Sequence, residues 1–225
     1  MTNIKQSRIF EVFEERRGKR SVLLTKNLTP GKTVYDEMLV REKGIEYREW
    51  NPQKSKLAAA ILKGTQNTGI RQGSVVLYLG AASGTTASHV SDMVGEKGFV
   101  FALDFAPRVV RDLVFVCEER KNMTPLMFDA NQPQEYKDKI TQVDIVYQDV
   151  AQKNQAEIFL KNIDMFLKKG GYALLAVKAR SIDVTRNPKQ VFNEVREKLE
   201  KHINIIDYRL LDPFEKDHCM FICKK

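Results

Sequence analysis

Cysteine, histidine and tryptophan are scarce in this 225-residue chain, which has 3, 3 and 1 of them. Cys117, Cys219 and Cys223 form no C-x-x-C pair, and an odd number cannot all be joined to one another. Each lies among apolar neighbours and reads as a small buried hydrophobe of a reducing compartment. His218 beside two cysteines lacks the ligand grouping of a zinc site, so no metal is expected. No apolar run approaches the ~20 residues that cross a bilayer. The opening MTNIKQSRIFEVFEERRGKRSV carries charges every few residues where a signal peptide would have an apolar core. Internal repeats and low-complexity tails are also missing. A soluble intracellular protein with no membrane partner is the expectation.

Positive charge is what the chain has in excess. Its 37 Lys+Arg against 29 Asp+Glu give a net charge of +8, with 43% hydrophobic and 29% charged residues. That balance excludes a disordered or collagen-like chain. The length accommodates one full α/β domain and a small additional module. A basic surface suits a polyanion, most simply nucleic acid, although charge alone does not decide this.

Up to Trp50 the pattern is short and alternating. Ile9–Phe13, Ser21–Thr25 and Ile45–Trp50 read as strands, separated by turn signals at Arg17-Gly18-Lys19, Pro30-Gly31-Lys32 and Lys43-Gly44. A β-rich module over 1–54 is expected, packed on a second domain over 55–225. There the rhythm changes. Pro52 and Ser55 open a helix whose face includes Leu57, Ile61 and Leu62. Buried strands are expected at Val75–Leu79, Phe99–Leu103, Leu126–Phe128, Val143–Tyr147 and Tyr172–Val177. Helices are expected from the glycine turn to Met93, and over Val109–Glu119, Ala156–Leu167 and Val191–His202. Gly170-Gly171 reads as the stop of the third of these, and Ile203–Leu210 and Met220–Cys223 as closing strands. Repeated βαβ units imply an open, mostly parallel, Rossmann-like sheet with helices on both faces.

The informative segment is Leu77-Tyr78-Leu79-Gly80-Ala81-Ala82-Ser83-Gly84-Thr85-Thr86, a buried strand running through a small-residue turn into a helix. Such a turn admits a ligand close to the backbone and aims helix N–H groups into a crevice. A βα turn that merely needs small residues is the plain alternative. Asp104 follows the second strand, twenty residues after Gly84, where an acid binds a ribose diol. Asp129, after the third strand, is placed to accept from an adenine amino group. These acids indicate an adenosine-type ligand, either a dinucleotide or S-adenosylmethionine. The G-x-x-x-G spacing, in place of G-x-G-x-x-G, tilts towards the latter, and the lysine of a phosphate-binding loop is missing.

Together with Trp50-Asn51-Pro52, Ser55-Lys56-Leu57-Ala58-Ala59-Ala60, Ser88-His89-Val90-Ser91-Asp92, Asp149-Val150-Ala151-Gln152 and Lys216-Asp217-His218, this segment resembles the fibrillarin family over nearly the whole chain. The absence of a glycine/arginine-rich N-terminal stretch resembles the archaeal form, and a cytoplasmic location is expected with it. The resemblance implies S-adenosylmethionine-dependent 2′-O-methylation of ribose in rRNA and tRNA. It further implies a box C/D ribonucleoprotein with a guide RNA, a scaffold protein and, through the scaffold, a kink-turn RNA-binding protein.

By the same resemblance, Gly80, Ala82 and Gly84 shape the cofactor turn and Thr85 and Thr86 contact the methionine end. Asp104 and Phe105 hold the ribose and flank the adenine, Asp129 and Ala130 read its edge, and Asp149, Val150, Ala151 and Gln152 close the methionine side. Tyr78 stands where many methyltransferases carry an acid, and Ala82 where they carry the middle glycine. Lys56, Asp149, Lys178 and His218 fall at helix and strand ends on one rim and resemble the Lys-Asp-Lys-Glu/His tetrad of RNA 2′-O-methyltransferases. Lys178 is expected to accept the hydroxyl proton or stabilise the oxyanion, with Asp149 fixing Lys178 and sitting near the sulfonium. Lys56 and His218 then orient ribose and phosphate. His89 is expected to support the glycine loop. Arg16-Arg17, Lys19-Arg20 and Arg108/Arg111 are solvated charges or phosphate contacts. An idle RNA-complex subunit and a small-molecule O-methyltransferase are the competing readings. Retention of Lys56, Asp149 and Lys178 speaks against the first, and the +8 charge against the second.

Overall fold

A computed structural model describes residues 4–225. Two sheets build it. The first is antiparallel and contains β1 (Ile4–Gln6), β2 (Phe13–Arg17), β3 (Arg20–Lys26), β4 (Leu39–Glu42) and β5 (Ile45–Trp50), in the order β1-β2-β3-β5-β4. The second has seven strands: β6 (Val75–Leu79), β7 (Phe99–Asp104), β8 (Met123–Met127), β9 (Val143–Gln148), β10 (Leu167–Lys178), β11 (Asn204–Leu210) and β12 (His218–Lys224). Their order is β11-β12-β10-β9-β6-β7-β8. The five strands from β10 to β8 are parallel, and β12 runs against both β10 and β11.

The helices cover both faces, as βαβ connections require. α1 (Lys56–Leu62), α2 (Thr85–Val94) and α3 (Pro107–Glu118) pack with the first sheet on one face. α4 (Gln155–Phe166), the single turn α5 (Ala179–Ile182) and α6 (Pro188–Glu200) cover the other. Ile9, Val12, Leu23 and Trp50 of the first sheet join one apolar cluster with Leu57, Val76, Val90 and Ile222. Phe13, Leu24 and Tyr47 form the small cluster that the β-rich module has for itself. None of the described helices is long and apolar enough to cross a membrane.

Several expectations are corrected. Ile9–Val12 is a turn rather than a strand. Ile9 and Val12 both point into the core, Glu11 takes a left-handed φ of 57°, and the Gln6 amide donates to the carbonyls of Ile9 and Val12. Lys43-Gly44 connects β5 to an unforeseen strand, β4, through a hairpin with positive φ at both residues. Gly170-Gly171 does not end α4. The chain is already extended at Leu167, and Gly171 lies inside the β10 run, where a Cβ would stand 2.8 Å from the Asp144 carbonyl. The third parallel strand sits earlier, at Met123–Met127, and its Pro125 is tolerated because β8 is the sheet edge. α6 starts at Pro188, where the Asn187 side chain caps Lys189 N–H.

His89 is also reassigned. It is wholly buried, its ring stacks on Trp50 at 4.8 Å, and its nitrogens meet Thr25 Oγ1 and the Tyr35 hydroxyl at 2.8 Å each. All three partners belong to the first sheet and its loops, so His89 joins the two sheets instead of supporting the glycine turn. Around it Arg48 pairs with Glu37 and Asp92, and Arg120 with the other oxygen of Asp92, all out of solvent. Through the Tyr35 hydroxyl, which meets His89 and accepts from Asn51 N–H at 3.3 Å, the network also touches the start of the β5–α1 connection.

Candidate functional site

A crevice of about 370 Å³ opens at the carboxyl ends of β6, β7 and β9, the switch point of the parallel sheet. Its floor is the turn after β6. Gly80 and Ala81 donate their N–H groups to the Leu103 carbonyl at 2.8 and 2.9 Å. Gly80 has φ +80°, and a Cβ there would lie 2.3 Å from the Asp149 carbonyl oxygen, so only glycine lets the ends of β6 and β9 meet. Ala82 carries a left-handed φ of 48°, a conformation costing an L residue about 1–2 kcal/mol. Its N–H is held at 3.0 Å by Asp104 Oδ2, while Asp104 Oδ1 accepts from Ala106 N–H at 3.1 Å. Asp104 thus stitches the glycine turn to the next βα turn.

Phe105, 62% exposed, stands on the wall with Leu103, Phe128, Ala130 and Val150. Asp149, Ala151 and Gln152 close the opposite side. Gly80, Ala82, Asp104, Phe105, Ala130 and the whole Asp149–Gln152 segment therefore meet in one place. Gly84, Thr85, Thr86 and Asp129 are close in sequence but do not line this crevice. Gly84 faces Leu113 and Val116 of α3. Thr86 is buried and donates to Ser55 Oγ at 3.0 Å, and the Thr85 carbonyl accepts from Ser88 Oγ. Asp129 Oδ1 accepts from Asn131 N–H, and its neighbours Phe128 and Ala130 face the ligand space instead.

Beside the crevice the four rim residues converge. Lys56 Nζ lies 2.9 Å from Asp149 Oδ2, each side chain 21% exposed. Burial pulls the Lys56 ammonium pKa down, but the Asp149 carboxylate outweighs it and leaves Lys56 above its ordinary value. Lys56, not Lys178, is the amine that holds Asp149. The register explains this correction: Leu175 pairs with Gln148, so Lys178 lies three residues further along β10, past the end of β9, while Lys56 on α1 reaches Asp149 directly. Lys178 is exposed and pairs across the strands with His218. His218 Nδ1–H donates to the Lys216 carbonyl at 2.7 Å, which leaves Nε2 its lone pair. Burial, reinforced by the nearby Lys56 charge against the pull of the Lys216 carbonyl, lowers the His218 pKa, so the ring is neutral at pH 7.

Two glutamines complete the site without having been anticipated. Gln155, fully buried, donates to the carbonyls of Gln152 and Lys178 at 3.0 and 3.5 Å and accepts from Lys178 N–H at 3.3 Å. Gln148 Nε2 supports it through the Gln155 carbonyl at 2.6 Å. The peptide that carries Lys178 is thereby fastened to the Asp149–Gln152 wall. Polar Gln148, closing the buried run Ile145–Tyr147, was the available signal.

The donor set suits a nucleoside. Asp104 is a carboxylate fixed by two backbone donors, with lone pairs left for a diol; Phe105 presents a bare aromatic face; and Asp149 is an acid for a cationic group. A family model described as Fibrillarin matches residues 4–225. The chain belongs to the fibrillarin family. Among its fibrillarin relatives, the fibrillarin-like rRNA/tRNA 2′-O-methyltransferase of Methanocaldococcus jannaschii is 51% identical over 227 residues, covering 99% of this chain and 97% of that one. The structure of Aeropyrum pernix fibrillarin with natively bound S-adenosyl-L-methionine matches with a TM-score of 0.91 at 43% identity, covering 99% of each chain. A fibrillarin/Nop5p complex matches with a TM-score of 0.85 at 39% identity, over 96% of this chain and 97% of that one.

Proposed function

We infer that this fibrillarin transfers a methyl group from S-adenosylmethionine to a ribose 2′-hydroxyl of rRNA and tRNA, working in a complex with a scaffold protein. The observation that carries the reading is the position of Asp149, which faces the nucleoside crevice while ion-pairing with Lys56 on the rim shared by Lys178 and His218. The crevice residues Asp104, Phe105, Phe128 and Ala130 hold the adenosine half, and Asp149–Gln152 the methionine side. When bound, S-adenosylmethionine supplies a methyl already activated by a sulfonium sulfur.

The protein's own task is alignment and removal of one proton. Alignment is worth about 7–11 kcal/mol in favourable intramolecular systems, and a positioned base adds roughly 10²–10⁴-fold. Lys56, kept protonated by Asp149, orients the ribose and offsets negative charge. Lys178 takes the 2′-hydroxyl proton or stabilises the developing oxyanion. Neutral His218, with Nε2 as acceptor, orients the same hydroxyl.

The complex includes a box C/D guide RNA that selects the nucleotide and, through the scaffold, a kink-turn RNA-binding protein. The described residues form two sheets and their helices, one of the sheets bears the crevice, and the net charge of +8 suits an RNA partner. The named relatives are archaeal organisms, which supports a cytoplasmic place of work. The test is labelled methyl transfer to a target RNA with and without scaffold and guide, followed by mapping of the modified nucleotide. Guide-dependent modification of one ribose is expected. Site-specific methylation without any guide, or activity on a catechol and none on RNA, overturns the reading.

A further inference from the structure

One basic motif of the sequence has no part in the site described above: Arg16-Arg17-Gly18-Lys19-Arg20. It forms the tip of the β2–β3 hairpin, a two-residue turn closed by the Arg17–Arg20 pair, with Gly18 at φ +61° as its first turn residue. Arg17 is neutralised by Glu15 and Glu49. Among the described residues Arg16, Lys19 and Arg20 enter no ion pair, and Lys19 and Arg20 are exposed. These three cations flank a groove of about 540 Å³, with Lys5 on its far side and Glu14 as its single acid.

The direction of the hairpin gives the cluster its meaning. Leu23 pairs with Trp50 in the antiparallel β3–β5 ladder. β5 leaves the sheet at Trp50 and travels on towards Ser55 and Lys56. Because β3 runs the other way, its earlier residues extend past Trp50 in that same direction, and Arg20 lies three residues, about 10 Å, beyond the Trp50 level. The hairpin tip therefore projects from the side of the first sheet at which the chain leaves β5 for α1 and Lys56. A second groove, of about 510 Å³, begins at the same Arg20 and Ser21 and continues past Asn51, Gln53 and Leu62 to Phe214. Phe214 adjoins Glu215, whose carboxylate is 3.9 Å from His218 Nδ1. The two grooves share Arg20 and Ser21, so the cation cluster continues into the groove that ends at Phe214, next to Glu215.

We propose that the β2–β3 hairpin tip is a phosphate-backbone clamp, in which Arg16, Lys19 and Arg20 hold the RNA that flanks the nucleotide presented to Lys178. The proposal rests on the RNA methyltransferase reading and adds the surface by which substrate is held. Three cations on one hairpin that enter no ion pair among the described residues, in a groove lined by one acid, match a run of phosphodiesters and carry no base selectivity. Cations offered to a protein partner would be accompanied by an apolar centre. Around the cation cluster itself every lining side chain is polar or charged; the apolar side chains Leu62 and Phe214 belong to the adjoining groove.

The test uses the reconstituted complex with guide RNA, scaffold and a short target RNA, comparing wild type with Arg16→Ala/Lys19→Ala/Arg20→Ala. We expect KM for target RNA to rise at least tenfold while kcat at saturating RNA and the cofactor Kd stay unchanged. Across 50–200 mM salt, the slope of log K against log salt for binding an RNA duplex to the chain should become shallower by about 2–3, since each lost phosphate contact removes about 0.7–0.9. Arg16→Lys/Arg20→Lys should retain the wild-type slope. An unchanged slope and KM overturn the clamp, as does a loss of scaffold association with RNA binding intact. Failure of the wild-type complex to methylate RNA would instead overturn the functional reading, so the two failures are distinguishable.

Discussion

Two sets of charged pairs in this molecule use the same chemistry for opposite purposes. Between the sheets, Asp92 is entirely out of solvent and saturated. It accepts from Arg48 at 2.9 Å, Arg120 at 2.7 Å, the Thr25 hydroxyl at 2.9 Å and Leu28 N–H at 3.2 Å. At the rim, Asp149 is partly exposed and accepts from Lys56 through Oδ2. A saturated buried carboxylate has no capacity to meet a substrate and orders the fold. The rim carboxylate has one oxygen, Oδ1, that accepts no hydrogen bond from the described residues. Burial and the number of donors, more than residue type, separate structural charge from working charge.

The sharpest way to break the comparison is to delete one cation from each region. Lys178→Ala should lower kcat by about 10²–10⁴-fold, the usual worth of a positioned proton acceptor, with thermal unfolding and cofactor binding unchanged. Full turnover in that variant would remove Lys178 from the mechanism. Arg48→Ala should do the reverse. It strands Glu37 and part of Asp92 in a dry interior, and denaturant unfolding should report a loss of about 3–5 kcal/mol. A variant as stable as wild type would mean that the network adds nothing to the fold.

A smaller effect comes from pH. Burial holds the His89 pKa well below its ordinary 6.5, with Arg48 and Arg120 acting in the same direction. The unfolded chain therefore binds this proton more readily than the folded one. Stability from His89 is present in full above pH 6.5 and is lost as pH falls towards the folded pKa, at up to about 1.4 kcal/mol per pH unit. His89→Gln should flatten that slope in unfolding measurements between pH 6.5 and 5, and an unaltered slope would contradict the assignment. At the small end, Phe105→Ala should weaken cofactor binding by about 1–3 kcal/mol in calorimetry, the range of an aromatic stacked on a base, with stability unaffected. An unchanged Kd would place the adenine elsewhere.

Much of the rim is legible in the sequence. Gly80, Asp104 and Asp149 stand at strand ends, and strand ends are visible as the close of apolar runs. Lys56 follows a helix-capping serine, so its place at a helix start was legible too. The partnership of Lys56 with Asp149 was not, because it depends on how α1 packs beside the end of β9, and the register of β10 against β9 carries the rival Lys178 past that end. The turn at Ile9–Val12 was misread because Ile9, Phe10, Val12 and Phe13 are all strand-prone residue types, and the bend that lets Ile9 and Val12, three apart, face the same core is fixed by tertiary packing. Thr86 sits beside the glycine turn, yet it is turned to Ser55 by the entry angle of α2.

What the amino-acid order determined alone was the periodicity of the parallel strands, the small-residue turn, the acids that follow the strands and the excess of positive charge. These are local properties, set by backbone sterics and by solvent exclusion within a few residues. Only tertiary structure decided which amine meets which carboxylate, that His89 bridges two sheets, and that Arg20 of the first sheet and Phe214 near the chain's end line one groove. Those outcomes depend on distances between residues far apart in the chain, which packing of the whole sets and no local pattern encodes.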